Sequence, residues 1–97
     1  MEGMTVVIGP GDPAEPGWAE ASSLPEASAL AREGRTVVVT LPDDETEAVA
    51  AAAAFAWAGA AVFRTAAGTA RSVRQALDMT ECLLGRRPPA LTRRGLA

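Results

Sequence analysis

The chain has 97 residues, of which 48% are hydrophobic and 22% are charged, and it contains no histidine. This length is that of one small domain of modest stability, and the formal net charge is −3. The charge divides unevenly: residues 1–47 carry two arginines and ten acids, or −8, and residues 48–97 carry seven arginines and two acids, or +5. The basic half lacks interleaved aromatic residues, so we expect no nucleic-acid partner.

Cysteine content and hydropathy predict a soluble, cytoplasmic protein without membrane contact. Cys82 is the only cysteine, so no internal disulfide forms and a reducing compartment is expected. It lies in an apolar stretch with no histidine to activate it, which predicts a buried structural thiol rather than a nucleophile. The start of the chain lacks the basic region of a signal peptide, and the alanine-rich run at 48–61 is too short to span a bilayer.

The first third of the chain predicts one strand, one long loop and one helix. Residues 5–8 are β-branched and apolar and precede a Gly-Pro-Gly turn, which indicates a buried strand. Residues 9–23 are rich in proline and glycine and are predicted to be a loop, with at most one helical turn at 18–21. Residues 24–33 have apolar positions at helical spacing, and Gly34 is placed to end this helix.

The middle of the chain predicts a buried strand followed by a helix. The continuous valines of residues 36–40 indicate burial on both faces, as in a parallel sheet covered by helices. Asp44 is the expected N-cap of the next helix, with Glu47 three residues later as the second half of a capping box. This helix is predicted to reach Ala58 and to end at Gly59.

A third strand and a third helix follow. Residues 61–64 predict a strand, Thr69 is the expected N-cap, and Gly85 is the expected end of the helix. The apolar face of that helix is predicted to consist of five residues, Val73, Ala76, Leu77, Thr80 and Leu84.

The order of these elements predicts the fold class and the domain organisation. Alternating strands and helices imply an α/β fold of three βα units with a short parallel sheet. We assign residues 1–85 to this single domain and residues 86–97 to a basic C-terminal tail, either docked on an acidic surface or disordered. Three units cannot close a barrel, so both sheet edges need cover.

The junctions between elements resemble a known enzyme family. They are residues 7–11, Trp18, residues 31–39, residues 60–64 and residues 75–79. In order and spacing they resemble the last three βα units of dihydropteroate synthase, the pterin-binding (β/α)8 barrel of the folate pathway. The resemblance covers nearly the whole chain and implies a partial TIM barrel.

The same resemblance implies that the catalytic groups are lost. In that family the second of these strands leads into Ser-Arg-Lys, whose lysine contacts the pterin, whereas this chain has Pro42, Asp43 and Asp44. A carboxylate reverses the charge of that lysine and cannot make its contact. The family's last strand ends in Arg-x-His; Arg64 matches the arginine, but Ala66 stands at the histidine position. We therefore assign no catalytic residue, no metal site and no cofactor.

Four residues near the carboxyl ends of the strands are the candidate ligand-binding groups: Arg64, Thr40, Thr65 and Asp12. In βα proteins those strand ends carry the chemistry. The alternative for the arginine, which we favour, is an ion pair with an acid of the 43–47 segment such as Asp43 or Asp44. That acidic segment is itself a hard-cation site, an acid–base pair or, as we favour, a set of helix-capping residues.

Trp18 and Trp57 are the candidate contacts with a partner. From the resemblance we predict a non-catalytic small protein, linked to folate metabolism, that acts through self-association or with a longer dihydropteroate synthase relative. The alternative is a pterin- or phosphate-binding module or enzyme subunit that uses Arg64 and the strand ends. A third hypothesis, an unselected gene fragment, is opposed by the mutually consistent helix caps.

Overall fold

The computed structural model describes residues 5–85, which form a four-stranded parallel sheet and three α-helices. In chain order the elements are β1 (Val6–Ile8), β2 (Trp18–Glu20), α1 (Leu24–Arg32), β3 (Thr36–Thr40), α2 (Glu45–Ala58), β4 (Val62–Arg64), a 3-10 turn (Ala67–Thr69) and α3 (Ala70–Leu83). The predicted α/β class is confirmed. The tail predicted at residues 86–97 lies outside the described part of the chain. Within residues 5–85, no helix has the length and apolar character needed to cross a membrane.

The strands lie in the order β1-β4-β3-β2, and every neighbouring pair is parallel. The three βα units are therefore β2α1, β3α2 and β4α3, whose strands are consecutive neighbours as in a barrel. β1 does not open the first unit, as the sequence predicted, but pairs with the outer side of β4. Its register places Val6 beside Val62, which in turn lies beside Val38.

The helical turn predicted at residues 18–21 is wrong, because Trp18–Glu20 is extended and pairs with β3. A turn at residues 15–18 directs the chain into the sheet: the Trp18 amide donates to the Glu15 carbonyl at 3.1 Å, and Gly17 has φ of 92°. Pairing satisfies backbone groups that β3 would otherwise leave open at its edge, and this outweighs the weak local preference of three residues.

The helix starts follow the capping prediction in one case and depart from it in another. The Asp44 carboxylate accepts from the Glu47 amide at 3.0 Å, as predicted for α2. Thr69 is the N-cap residue of α3, as expected, but its hydroxyl makes no capping bond to the amides of that helix. That hydroxyl lies 2.8 Å from the Thr65 hydroxyl and donates to the Ala66 carbonyl at 3.1 Å. The side chain is thus used to close the loop after β4.

The core lies between the helices and one face of the sheet, and it is built largely from alanines. Its buried members from the strands and helices include Val37, Val39, Phe63, Ala27, Ala48, Ala52, Ala56, Val73 and Leu77. Alanines allow the helices to approach closely but bury little area each. At Gly59 the approach leaves no room for a side chain, since an added Cβ would lie 2.6 Å from the Cβ of Ala31.

The opposite face of the sheet also carries buried residues. Val38 and Val62 are at most 1% exposed, which confirms the burial predicted for both faces of β3. Two residues further along each strand, on this same face, stand Thr40 and Arg64. This face therefore holds the polar groups from which a site can be built.

Candidate functional site

The candidate site is centred on the guanidinium of Arg64, the last residue of β4. Strand alternation places this side chain on the sheet face away from the helices. The sheet register sets Ile8 on one side of it and Thr40 on the other. The side chain is 13% exposed, so its hydrogen-bonding groups are largely withdrawn from water.

Protein groups occupy the guanidinium on all three nitrogens. Nη1 donates to the Thr40 hydroxyl at 2.7 Å and to Oε1 of Glu20 at 3.3 Å, and Nη2 donates to Oε2 of Glu20 at 3.2 Å. Nε donates to the backbone carbonyl of Asp12 at 3.3 Å. The two bonds to Glu20 form the paired geometry by which arginine recognises a carboxylate.

Each partner reaches Arg64 for a reason visible in the fold. Glu20 ends β2 and shares the sheet face of Val38, so its side chain reaches across the end of β3. The Asp12 carbonyl is brought in by a turn in which the Asp12 amide donates to the Gly9 carbonyl at 3.1 Å. The Asp12 carboxylate accepts from the Gly9 amide at 2.8 Å and so stabilises this turn rather than the arginine.

Three of the four predicted ligand-binding residues come together, and the fourth does not. Arg64 and Thr40 are in direct contact, and Asp12 joins them through its backbone carbonyl. Thr65 is 2% exposed, and its hydroxyl bonds to that of Thr69, so it is turned into the structure. An ion pair of the arginine is present, but its acid is Glu20 and not a member of the 43–47 segment.

Glu20 was missed because the sequence placed it in a loop. The available signal was the short alternation Trp-Ala-Glu after a Pro-Gly pair, which is compatible with a strand that ends in an acid. Three residues are too few for that alternation to be decisive. An edge strand of this length is recognised only once its neighbour is in place.

A shallow depression of about 390 Å³ adjoins the Glu20 carboxylate and is lined by Glu20, Ala21, Ser22, Glu26 and Thr40. The amide and hydroxyl of Ser22 donate to Oε1 of Glu26 at 2.9 and 3.2 Å, so these donors are already engaged. Two carboxylates in one hollow repel a phosphate or another anion. No group of three or more acids, cysteines or histidines within residues 5–85 has the arrangement of a metal site.

A second polar cluster joins the start of β1 to α3 and was not predicted. Glu81 is completely buried, and its Oε2 accepts from both the amide and the hydroxyl of Thr5 at 2.6 Å. Arg74 donates to the Thr5 carbonyl at 2.9 Å and to the Thr5 hydroxyl at 2.7 Å. Its Nη2 lies 3.8 Å from Oε1 of Glu81 and 3.0 Å from Asp78. We call Thr5, Arg74, Asp78 and Glu81 the β1 clamp.

Three large apolar side chains on α2 and α3 are exposed to solvent. Trp57 is 59% exposed, Met79 63% and Leu83 68%. The two helices run side by side in the same direction, and a hydrogen bond from Ser72 to Glu45 joins their first turns. Trp57 thus lies in the last turn of α2 and Leu83 in the last turn of α3, at the same end of the two helices. Met79 lies one turn before Leu83. We call these three residues the helix patch.

The structure differs in part from the predictions for Trp18 and Cys82. Trp18, the other candidate partner contact, is only half-exposed because it belongs to β2. Cys82, predicted to be buried, is half-buried beside the helix patch.

The whole sequence has no histidine, lysine or tyrosine, and the carboxylates nearest the sheet ends serve in a cap, a turn and an ion pair. No protein-family model, no curated protein and no solved structure matches this chain.

Proposed function

We propose that this chain is a non-catalytic relative of dihydropteroate synthase that acts by associating with a second copy of itself. The observation that carries the proposal is the state of Arg64, the single polar contact of that family which the resemblance retains. Its guanidinium is bound by Glu20, Thr40 and the Asp12 carbonyl. A phosphate or diphosphate would have to displace a carboxylate that already fills the paired donor position.

The position of the family's lysine supports the same proposal. Asp44 stands there, and its carboxylate is committed to the cap of α2. The side chain is thus used for helix stability, and its charge is opposite to that of the lysine. The link to folate metabolism follows from the resemblance, and it is part of the proposal.

Self-association is supported by the helix patch. Exposed tryptophan, methionine and leucine side chains on two neighbouring helices are typical of an interaction site. A two-fold interface brings a surface against a copy of itself, so a patch of one charge would be repelled. Trp57, Met79 and Leu83 carry no charge, which makes a second copy a suitable occupant. The depression beside Glu20 is acidic, so it would repel the same depression of a second copy.

The proposal is tested by placing a charge in the helix patch. Met79→Glu is expected to raise the dimer dissociation constant by at least about tenfold, because it removes buried apolar area and adds an unpaired carboxylate. Ala50→Glu is the matched control, since Ala50 is exposed on α2 two turns before Trp57. Analytical ultracentrifugation of the two variants and the unmodified chain gives the constants.

Two outcomes would contradict the proposal. Equal dissociation constants for Met79→Glu and Ala50→Glu would remove the helix patch from the interface. An unmodified chain that stays monomeric, together with a pterin or phosphate whose binding is lost in Arg64→Ala, would favour the ligand-binding alternative.

A further inference from the structure

β1 is an edge strand held by two separate sets of contacts. On one side it pairs with β4 alone, and the sheet order leaves its other side without a strand partner among the described residues. At the start of β1, Glu81 and Arg74 of the β1 clamp bind all three polar groups of Thr5: amide, hydroxyl and carbonyl. The space between β4 and α3 is therefore a binding groove for a strand that is preceded by a threonine.

The β1 clamp requires that a strand occupy this groove. Glu81 is 0% exposed, and a buried carboxylate is costly unless it is paired and hydrogen-bonded. Thr5 supplies two of its donors, and Arg74 supplies the nearby positive charge. Removal of β1 without replacement would leave this carboxylate without its threonine donors. Any β1 that leaves must be replaced by another.

The loop between β1 and β2 makes such replacement feasible. The two strands lie at opposite edges, so the loop crosses three strand spacings, or about 14 Å. Its nine residues, 9–17, include three prolines and would span about 28 Å if extended. Two turns take up the excess, at residues 9–12 and 15–18, each with Pro-Gly at its centre. Opening either turn lets β1 reach beyond its own domain.

We propose that β1 is exchanged between two copies, so that residues 5–8 of one chain lie between β4 and α3 of the other. This inference rests on the proposed self-association and states how the copies are joined. The clamp and sheet contacts of β1 are the same in the closed monomer and in the exchanged dimer. The balance between them is therefore set by the loop turns and by the surface buried only in the dimer, for which the helix patch is the candidate.

A disulfide across the β1–β4 pair tests the exchange. Val6→Cys and Val62→Cys are combined with Cys82→Ser, because Val6 and Val62 are register partners. The dimer fraction is oxidised and run on a non-reducing denaturing gel, where exchange predicts a covalent dimer. The matched control joins β3 to β4 through Val38→Cys and Val62→Cys, and it must give an intramolecular bond in either state.

The outcomes separate this inference from the proposed function. An intramolecular β1–β4 bond in a dimer fraction would overturn the exchange and leave self-association standing. A monomer by light scattering would overturn both.

Shortening the loop between β1 and β2 tests the exchange independently, without a disulfide. Deletion of residues 10–16 leaves two loop residues, which span only about 7 Å when extended, so β1 can no longer cross the three strand spacings to its own β4. The inference predicts that this variant is folded and dimeric at every concentration. A folded monomer of this deletion variant would overturn the exchange.

Discussion

Arg64 shows how the surroundings of one side chain decide its role. The same residue type at the same strand end binds an anion when its donors are free and serves as structural support when they are occupied. Here the donors meet Glu20, Thr40 and the carbonyl of Asp12. The sequence identified the arginine, the threonine and the aspartate, because all three lie at or shortly after the ends of predicted strands. It did not identify Glu20, since that residue depends on an edge strand of three residues.

Replacement of Glu20 by glutamine is the direct test of this role. The ion pair is lost, but Glu20 is 56% exposed, so the free energy of unfolding should fall by at most about 1 kcal/mol. We expect inorganic phosphate to leave the melting temperature of the unmodified chain unchanged and to raise that of Glu20→Gln. Thermal unfolding with and without phosphate measures both. A phosphate-induced rise in the unmodified chain would contradict the assignment.

Glu81 is the residue whose replacement should cost the most stability. Glu81→Ala removes the acceptor for two Thr5 donors and leaves the partly buried Arg74 without one carboxylate, for a loss of about 3 kcal/mol. Asp78→Ala is the control, because Asp78 is 41% exposed and should cost less than about 1 kcal/mol. Urea unfolding at one protein concentration compares them. Equal losses would show that the buried carboxylate does not hold β1.

At the scale of elements, the helices were predictable and the sheet edges were not. Glycines at the ends of helices and the cap at Asp44 are local signals, and they gave α1, α2 and α3 to within a few residues. Glu81 falls on the buried face of α3, where periodicity alone predicts an apolar residue. Its carboxylate accepts hydrogen bonds from Thr5 at the start of β1, 76 residues away in sequence, so no local pattern shows the pairing.

The approach of α1 to α2 can be tested at its glycine. Gly59 has φ of 111°, and an added Cβ would lie 2.6 Å from that of Ala31, so Gly59→Ala combines backbone strain with a clash. Gly34→Ala is the matched control, since its φ is 84° and nothing lies within 4 Å. Gly59→Ala should lower the free energy of unfolding by at least about 1 kcal/mol more than Gly34→Ala. Equal losses in denaturant unfolding would mean that the two helices are not closely packed.

At the scale of the whole molecule, a small core and an open sheet point to a stability that depends on association. The buried side chains are mainly alanine and valine, with Phe63 as the largest member of the core. The sequence predicted a small domain of modest stability, three βα units and sheet edges that need cover. It could not predict the strand order, because the place of β1 beside β4 is decided by long-range pairing and by the β1 clamp.

Such a molecule should unfold at a temperature that depends on its concentration. Folded copies associate and unfolded chains do not, so a higher protein concentration favours the folded dimer. The melting temperature should therefore rise as the protein concentration rises. Met79→Glu should weaken this dependence, and Ala50→Glu should retain it. A melting temperature independent of concentration in the unmodified chain would argue against association between folded copies.

The molar mass in solution tests the central claim most directly. Light scattering after size exclusion, across a dilution series of the unmodified chain, should give the mass of a dimer at high concentration. On dilution the mass should fall toward that of a folded monomer, and it should do so slowly, because β1 must leave the clamp for the copies to separate. A folded chain with the monomer mass at every concentration would contradict the claim that this protein acts by self-association.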